Sequence, residues 1–345
     1  MTAEGGGGKG EGGRGNGQKP LGGAIAVHFG LFMLAFGLLI SPFLLLPSAY
    51  SLFASPSPLS PSPYSAQDRP LPDPDTFYGM VRENLARAER ATHLYTYNER
   101  RTDIHTNPFG RLGTGGSSLF EVYPSPTRRL VYRRLVQRDG KPVSAREVAE
   151  QDREYRARVA GVLRENASRT ADEQRLLAQE SEAARQRRQR AIDDVIDTLQ
   201  FQLKRRTTHG GVTAIVIAFA PNPDARPRTR QGRTAQKFAG TIWVDEAASE
   251  VMRVEARSMD DISYGYGIVA RLDEGTTATV TRRPVGDEVW MPTDLTLSGR
   301  GRAVLFRKLV VDYSIEWFGY RRLPEESLAP FLDARVQNQT GRRPQ

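Results

Sequence analysis

Histidine and cysteine, which often serve as catalytic bases, nucleophiles or metal ligands, are few in this sequence of 345 residues, with four histidines and no cysteine. Cysteine is absent, which excludes disulfides, thiolate metal sites and cysteine nucleophiles. No Gly-x-Ser-x-Gly segment occurs, and neither H-x-H nor HExxH spacing is found among the four histidines, His28, His93, His105 and His209. We therefore predict no catalytic residue, no metal ion and no cofactor, and hence a binding protein rather than an enzyme.

Three aspartates within one turn of a predicted helix are the remaining acidic cluster. Asp193, Asp194 and Asp197 could gather a cation, but Arg190 and Lys204 lie on either side of them in the sequence. Such mixed charge is typical of a solvated helix face. We interpret the three carboxylates as part of that face.

The first 50 residues indicate export. Residues 1–20 are rich in glycine and form a predicted disordered segment, whereas Leu21–Leu46, within the segment 21–50, is almost entirely apolar. A helix of that length could cross a bilayer and remain as an anchor, while Pro42 and the small residues near Ala49 fit a cleaved signal peptide equally well. Both interpretations place the following chain in the bacterial periplasm or cell envelope, because the preceding basic residues stay inside.

A Ser/Pro-rich linker is predicted over residues 51–74, since Ser55–Pro63 can fill neither a helix nor a sheet ladder. The whole chain has 49 Lys+Arg against 40 Asp+Glu, and 39% of its residues are hydrophobic, enough for a core. The basic excess belongs to the exported part, where anionic lipid headgroups or polyanionic envelope polymers are more available partners than nucleic acid, and where a soluble surface also explains the charge. We predict no nucleic-acid binding.

The exported part begins with an amphipathic helix. Phe77, Val81 and Leu85 fall on one face of it, and Asp75 is its predicted cap. Short β-rich runs follow up to residue 137 and end at a turn formed by Asp139 and Gly140.

Two further helices are predicted between residues 144 and 206. Ser144 and Thr170 each precede a glutamate by three residues, which is the capping-box spacing. The apolar spacing from Ile192 to Leu203 extends the second helix to the end of this region. Its 14 cations and 12 anions indicate an exposed helical excursion from the sheet.

From Val212 onward the pattern is β. The strand Leu309–Phe318 alternates apolar and polar residues, and so does Val251–Arg257. One face of each strand is apolar and the other is exposed to solvent, which predicts an antiparallel sheet covered on one side by helices. The fold class is therefore α+β, a curled antiparallel sheet with a charged helical excursion, and residues 326–345 form a predicted tail.

Several segments resemble a known family. They are the helix Phe77–Ala91 running into Leu94–Tyr97, the pair Phe238–Asp245 and Glu250–Glu255, and the pair Val289–Pro292 and Leu295–Leu297. Together with the element order, they resemble the LolA-like superfamily of bacterial outer-membrane lipoprotein carriers over residues 75–325. The resemblance implies an unclosed β-barrel whose helices act as a lid over an interior that accepts acyl chains.

The predicted function is that of an envelope protein that holds a lipid, or the acyl chains of a lipoprotein, in an apolar cavity, in lipid or lipoprotein trafficking. The alternative is a membrane-anchored periplasmic sensor or scaffold, similar to RseB, which would contact an envelope protein through the helices of 144–206. Face assignment predicts eight ligand-binding residues: Phe77, Val81 and Leu85 from the lid, with Trp243, Val254, Tyr313, Ile315 and Trp317 from the sheet. For the tryptophans, core packing is the competing interpretation.

Overall fold

A computed structural model describes residues 69–92, 94–107, 110–111, 116–124, 131–264, 270–286, 289–303 and 307–323. The predictions for the Gly-rich segment, the signal peptide or anchor, most of the linker and the tail lie outside these residues. Within the described residues, no helix has both the length and the apolar character needed to cross a bilayer.

Four helices lie among the described residues: α1 (Pro74–Thr92), α2 (Ala145–Ser168), α3 (Ala171–Asp197) and α4 (Arg230–Ala235). The strands up to the α2–α3 region are β1 (Tyr95–Asn107), β2 (Gly110–Arg111), β3 (Gly116–Tyr123), β4 (Tyr132–Arg138) and β5 (Lys141–Pro142). The strands after it are β6 (Leu199–His209), β7 (Val212–Pro221), β8 (Phe238–Asp245), β9 (Glu250–Ser258), β10 (Ile262–Tyr264), β11 (Ala270–Leu272), β12 (Thr277–Val285), β13 (Val289–Ala303) and β14 (Arg307–Arg322).

These strands form one antiparallel sheet in the order β5-β4-β3-β1-β14-β13-β12-β9-β8-β7-β6. The short strand β11 pairs with the end of β13, β10 pairs with β11, and β2 pairs with β1. The sheet curls without closing, so β5 and β6 are its two ends among the described strands. The predicted fold class, a curled unclosed antiparallel sheet with helices, is confirmed.

The main core lies between α1 and the concave face of the sheet. Phe77, Val81 and Leu85 of α1 join buried side chains from β6 to β14 in one cluster. Two residues fix the start of helix α1. Pro74 occupies the first helical position, and the Asp73 carboxylate accepts a hydrogen bond from the Thr76 amide at 3.0 Å. The cap is thus Asp73, and our prediction of Asp75 was wrong by one half-turn.

Helices α2 and α3 connect the two ends of the sheet. Tyr155 of α2 stacks on Tyr132 at 4.2 Å on the outer face of β4. The Gln151 amide caps the open edge of β4, since it accepts from the Leu135 N–H at 2.9 Å and donates to the Leu135 carbonyl at 3.2 Å. An edge strand whose backbone groups are satisfied this way is a poor template for aggregation.

The structure differs from the sequence expectation in the helical excursion. Helix α3 ends at Asp197, and Leu199–His209 is the edge strand β6, so the helices do not extend to residue 206. Leu199 and Leu203 are spaced by four residues, which fits one face of a strand as well as one face of a helix. The two runs predicted within 288–297 are parts of one continuous strand, β13.

Candidate functional site

Seven of the eight predicted ligand-binding residues lie on the concave side of the sheet. The cluster between α1 and the sheet contains Phe77, Val81, Leu85, Val254, Tyr313 and Ile315, and Trp317 packs against it. Trp243 lies on the other side. Its neighbours Ile242 and Val244 belong to the concave cluster, whereas the Trp243 ring stacks on His209 at 5.8 Å.

A buried arginine fastens the chain just before α1. Arg206, on β6, donates from Nε and Nη2 to the two carboxylate oxygens of Glu246 at 2.7 and 2.5 Å. Its Nη1 donates to the Arg69 carbonyl at 2.6 Å and its Nη2 to the Pro70 carbonyl at 3.1 Å. The hydrogen bond from Arg206 lowers the pKa of Glu246. The guanidinium therefore holds the segment that leads into α1 against the sheet.

A second set of contacts holds the middle of α1. Asn84 donates from Nδ2 to the carbonyls of Ala248 at 2.8 Å and Ser249 at 3.0 Å, in the turn between β8 and β9. Arg87 reaches the Glu250 carboxylate at 3.5 Å. The outward edge of the helix is therefore attached by a few polar contacts, while its inward face is attached by apolar packing.

Glu250 also pairs with a second arginine below α1. Arg282 contacts the Glu250 carboxylate at 3.3 Å and donates to the Trp290 carbonyl at 2.7 Å, and both charged side chains are buried. Burial raises the pKa of Glu250, against the opposing effect of the two guanidiniums, and burial lowers the pKa of Arg282. Removing one partner would leave an uncompensated buried charge.

The concave face becomes charged at its β1 end. Glu99 of β1 is buried and lies opposite Trp317 of β14, whose Nε1 donates to Oε2 at 3.0 Å. Arg101 and Arg133 both approach its Oε1, at 2.6 and 3.3 Å. Burial, reinforced by the Glu99 charge, raises the pKa of the neighbouring Tyr97 to about 12.

The predicted acidic cluster has a structural role at one of its members. Asp194 accepts from the backbone amides of Arg228 and Thr229 at 2.9 and 2.7 Å, and from the Thr229 hydroxyl at 2.6 Å. It therefore positions the start of α4, and because it is buried, our assignment of Asp194 to a solvated helix face was wrong. Asp193 and Asp197 are exposed, as expected. Among the described residues no group of three or more acidic or histidine side chains could hold a metal ion.

Sequence reasoning missed the polar residues that attach α1 and line the β1 end. Arg206 and Glu246 are far apart in the sequence and meet only through the pairing of β6, β7 and β8. Glu99 and Arg101 occur in a polar stretch that lacks an apolar strand pattern. No usable signal was present for Arg206 either, because the alternation of Leu199, Phe201 and Leu203 continues to Arg205, and Arg206 turns inward only through the register shift between Leu203 and Arg205.

No protein-family model matches the chain, and no curated protein matches it. Several solved structures are similar to the chain. A Vibrio parahaemolyticus domain described as an outer membrane lipoprotein-sorting protein is 11% identical, with 74% of this chain and 96% of that chain covered and a TM-score of 0.28. A DUF1329 family protein from Desulfovibrio piger is 11% identical, covering 74% of this chain and 97% of that one, with a TM-score of 0.25.

A third similar structure is a complex of MucA and MucB from Pseudomonas aeruginosa. It is 9% identical, covers 70% of this chain and 98% of that chain, and has a TM-score of 0.20. The predicted resemblance to lipoprotein-sorting proteins is thus confirmed to the extent that such a structure is among those similar to the chain.

Proposed function

We propose that the chain is an envelope protein that holds acyl chains of a lipid or lipoprotein between α1 and the concave face of the sheet. The observation that carries the proposal is the continuous apolar surface that this face presents from β6 to β14, against which a single helix is seated. The apolar segment before residue 47 supports an envelope location.

Helix α1 is suited to act as the movable part. Polar contacts that attach it include those of Asn84 and Arg87 along its outer edge and those of Arg206 before its start. Displacing α1 would leave the sheet ladders intact, because the helix contributes no strand pairing. An acyl chain could then replace the side chains of Phe77, Val81 and Leu85 against the same apolar surface.

The absence of native cysteine allows a direct test with an engineered disulfide. We expect the double variant Asn84→Cys/Ala248→Cys to lock α1 to the β8–β9 turn when oxidised, because Asn84 already contacts the Ala248 carbonyl. Exchange of a fluorescent fatty acyl probe should stop on oxidation and resume on reduction. The single variant Asn84→Cys is the control. Unchanged exchange in the fully cross-linked protein would refute the role of α1.

The length of the acyl chain gives a second measure. Apolar burial contributes about 0.8 kcal/mol per CH₂, so affinity should rise about fourfold for each added CH₂ until the surface is filled. We expect a titration with saturated chains of increasing length to show this slope. A flat series would contradict binding on the concave face.

The second candidate function is a sensor or scaffold that acts through α2 and α3. It is favoured by their exposed, charged surfaces, including Arg187, Arg188 and Arg190 of α3. In that case, replacing these three arginines by glutamine should weaken cross-linking to an envelope protein and leave acyl binding unchanged. Equal cross-linking by the variant would count against this candidate.

A further inference from the structure

Two guanidinium groups share one buried carboxylate at the β1 end of the concave face. Both Arg101 and Arg133 approach the same oxygen of Glu99, while its other oxygen accepts from Trp317. The Glu99 side chain is only 2% exposed. Among the described residues, Glu99, Arg101 and Arg133 therefore form a group with two positive charges and one negative charge. One positive charge is left over inside the curl of the sheet.

The two arginines use only part of their hydrogen-bonding capacity. Each contacts Glu99 through Nε, so the terminal amino groups are not used in that contact. Their side chains are 36% and 43% exposed. By contrast, Arg206 has all three nitrogens engaged by protein acceptors, and Arg282 has both terminal amino groups engaged.

Apolar side chains lie next to the guanidinium of Arg101. Arg101 lies opposite Ile315 in the β1–β14 pairing, and its guanidinium lies 5.7 Å from the centre of the Phe120 ring. Tyr313 and Trp317 flank Ile315 on the same face of β14. A ligand bound here would meet two guanidinium forks at one end and the concave apolar surface at the other.

We infer that Arg101 and Arg133 bind the phosphate group of an anionic lipid whose acyl chains extend along the concave face towards Ile315. Guanidinium forks match phosphate oxygens in geometry and form charge-assisted hydrogen bonds with them. The inference rests on the proposed function, since it places the headgroup at the β1 end of the same concave face that would hold the acyl chains. Glu99 limits the excess charge to one and competes with the phosphate for the two guanidiniums.

The test compares lipids that share their acyl chains and differ in the phosphate. Dioleoyl phosphatidate, dioleoylglycerol and inorganic phosphate are each titrated into the full-length chain in detergent, with binding followed by native mass spectrometry. We expect phosphatidate to bind about tenfold more tightly than dioleoylglycerol. One molar ammonium acetate, a volatile salt that native mass spectrometry tolerates, should reduce that ratio without changing dioleoylglycerol binding.

The variants are chosen so that loss of folding cannot imitate the result. Glu99→Gln/Arg101→Gln/Arg133→Gln removes all three charges without leaving a buried ion, and should reduce the ratio to about one. Glu99→Gln alone frees both arginines and should raise phosphatidate affinity, a gain that unfolding cannot produce. Arg100→Gln is the matched control, because Arg100 pairs with Glu316 on the outer face of the same strand.

Each outcome decides between stated alternatives. Equal affinity of the wild-type chain for phosphatidate and dioleoylglycerol overturns the inference and leaves the proposed function standing. Failure of both lipids to bind overturns both. Binding of inorganic phosphate that the triple variant loses, with no lipid bound, supports a phosphate site and overturns its assignment to a lipid.

Discussion

Replacing Arg206 by methionine should detach the start of α1 and destabilise the protein by about 3 kcal/mol. The substitution removes four hydrogen bonds and leaves the Glu246 carboxylate with only the exposed Arg69 guanidinium, 4.0 Å away. Removing one member of a buried ion pair costs about 3–5 kcal/mol. We take the lower end because Glu246 is 22% exposed and can regain some water.

Urea denaturation at neutral pH measures the free energy of unfolding, and a loss of about 3 kcal/mol corresponds to a melting temperature lower by about 6–12 °C for a domain of this size. Hydrogen exchange should locate the effect. Amides of α1 should exchange faster in the variant, while those of β12 and β13 should be unchanged. Arg205→Met, at an exposed neighbouring position, is the matched control.

A double-mutant cycle with Glu246→Gln tests the cause. The two residues are in contact, so their effects should be non-additive by about 2 kcal/mol. The pKa of Glu246 is lowered in the folded state, so the pair stabilises the fold above the unfolded value of 4.5 and loses this effect as the pH falls through the folded value. Additive effects, or a loss below about 0.5 kcal/mol for Arg206→Met, would refute the reasoning.

Three further predictions concern the sheet and its edges. Gly240→Ala should destabilise the protein by more than about 1 kcal/mol, because the added Cβ would overlap a β9 carbonyl. Gly161→Ala, in open space within α2, should instead stabilise it by about 0.5–1 kcal/mol. Urea denaturation of the two variants should therefore give changes in unfolding free energy of opposite sign. Gln151→Leu should uncover the β4 edge and increase light scattering, and Gln186→Leu, on an exposed turn of α3, should not. Stability should fall as the pH rises from 10 through about 12, because the pKa of Tyr97 is raised by burial; a Tyr97→Phe variant should lose this part of the alkaline transition.

The sequence predicts those strands whose two faces differ in polarity. The alternation from Leu309 to Trp317 corresponds to β14, whose odd-numbered residues face the core. The same reasoning fails for β1, because Glu99 and Arg101 carry charges inward and the inward face is not apolar. Where a buried face is built from ion pairs, composition along the strand carries no sign of burial.

Residues of the candidate site could be predicted where their spacing in the sequence fits only one type of secondary structure. The buried residues Phe77, Val81, Leu85 and Ala88 lie at offsets of four, eight and eleven residues. The odd offset to Ala88 fits a helix and breaks the alternation of a strand, so their common face follows directly. Trp243 lies in a run of apolar residues from Ile242 to Val244, and such a run does not say which of its members face inward. Only the pairing of β8 with its neighbours decides that.

The pairing of β1 with β14 has a consequence for how the chain folds. Tyr95 lies opposite Arg322, so the central ladder joins the first described strand to the last. During synthesis β1 can pair with β3 early, but its other edge has no partner until nearly all of the domain has emerged. Ladders of such large sequence separation form slowly, and an unpaired strand edge is open to aggregation meanwhile. This edge of β1 is therefore the part of the sheet that stays exposed longest, until β14 arrives.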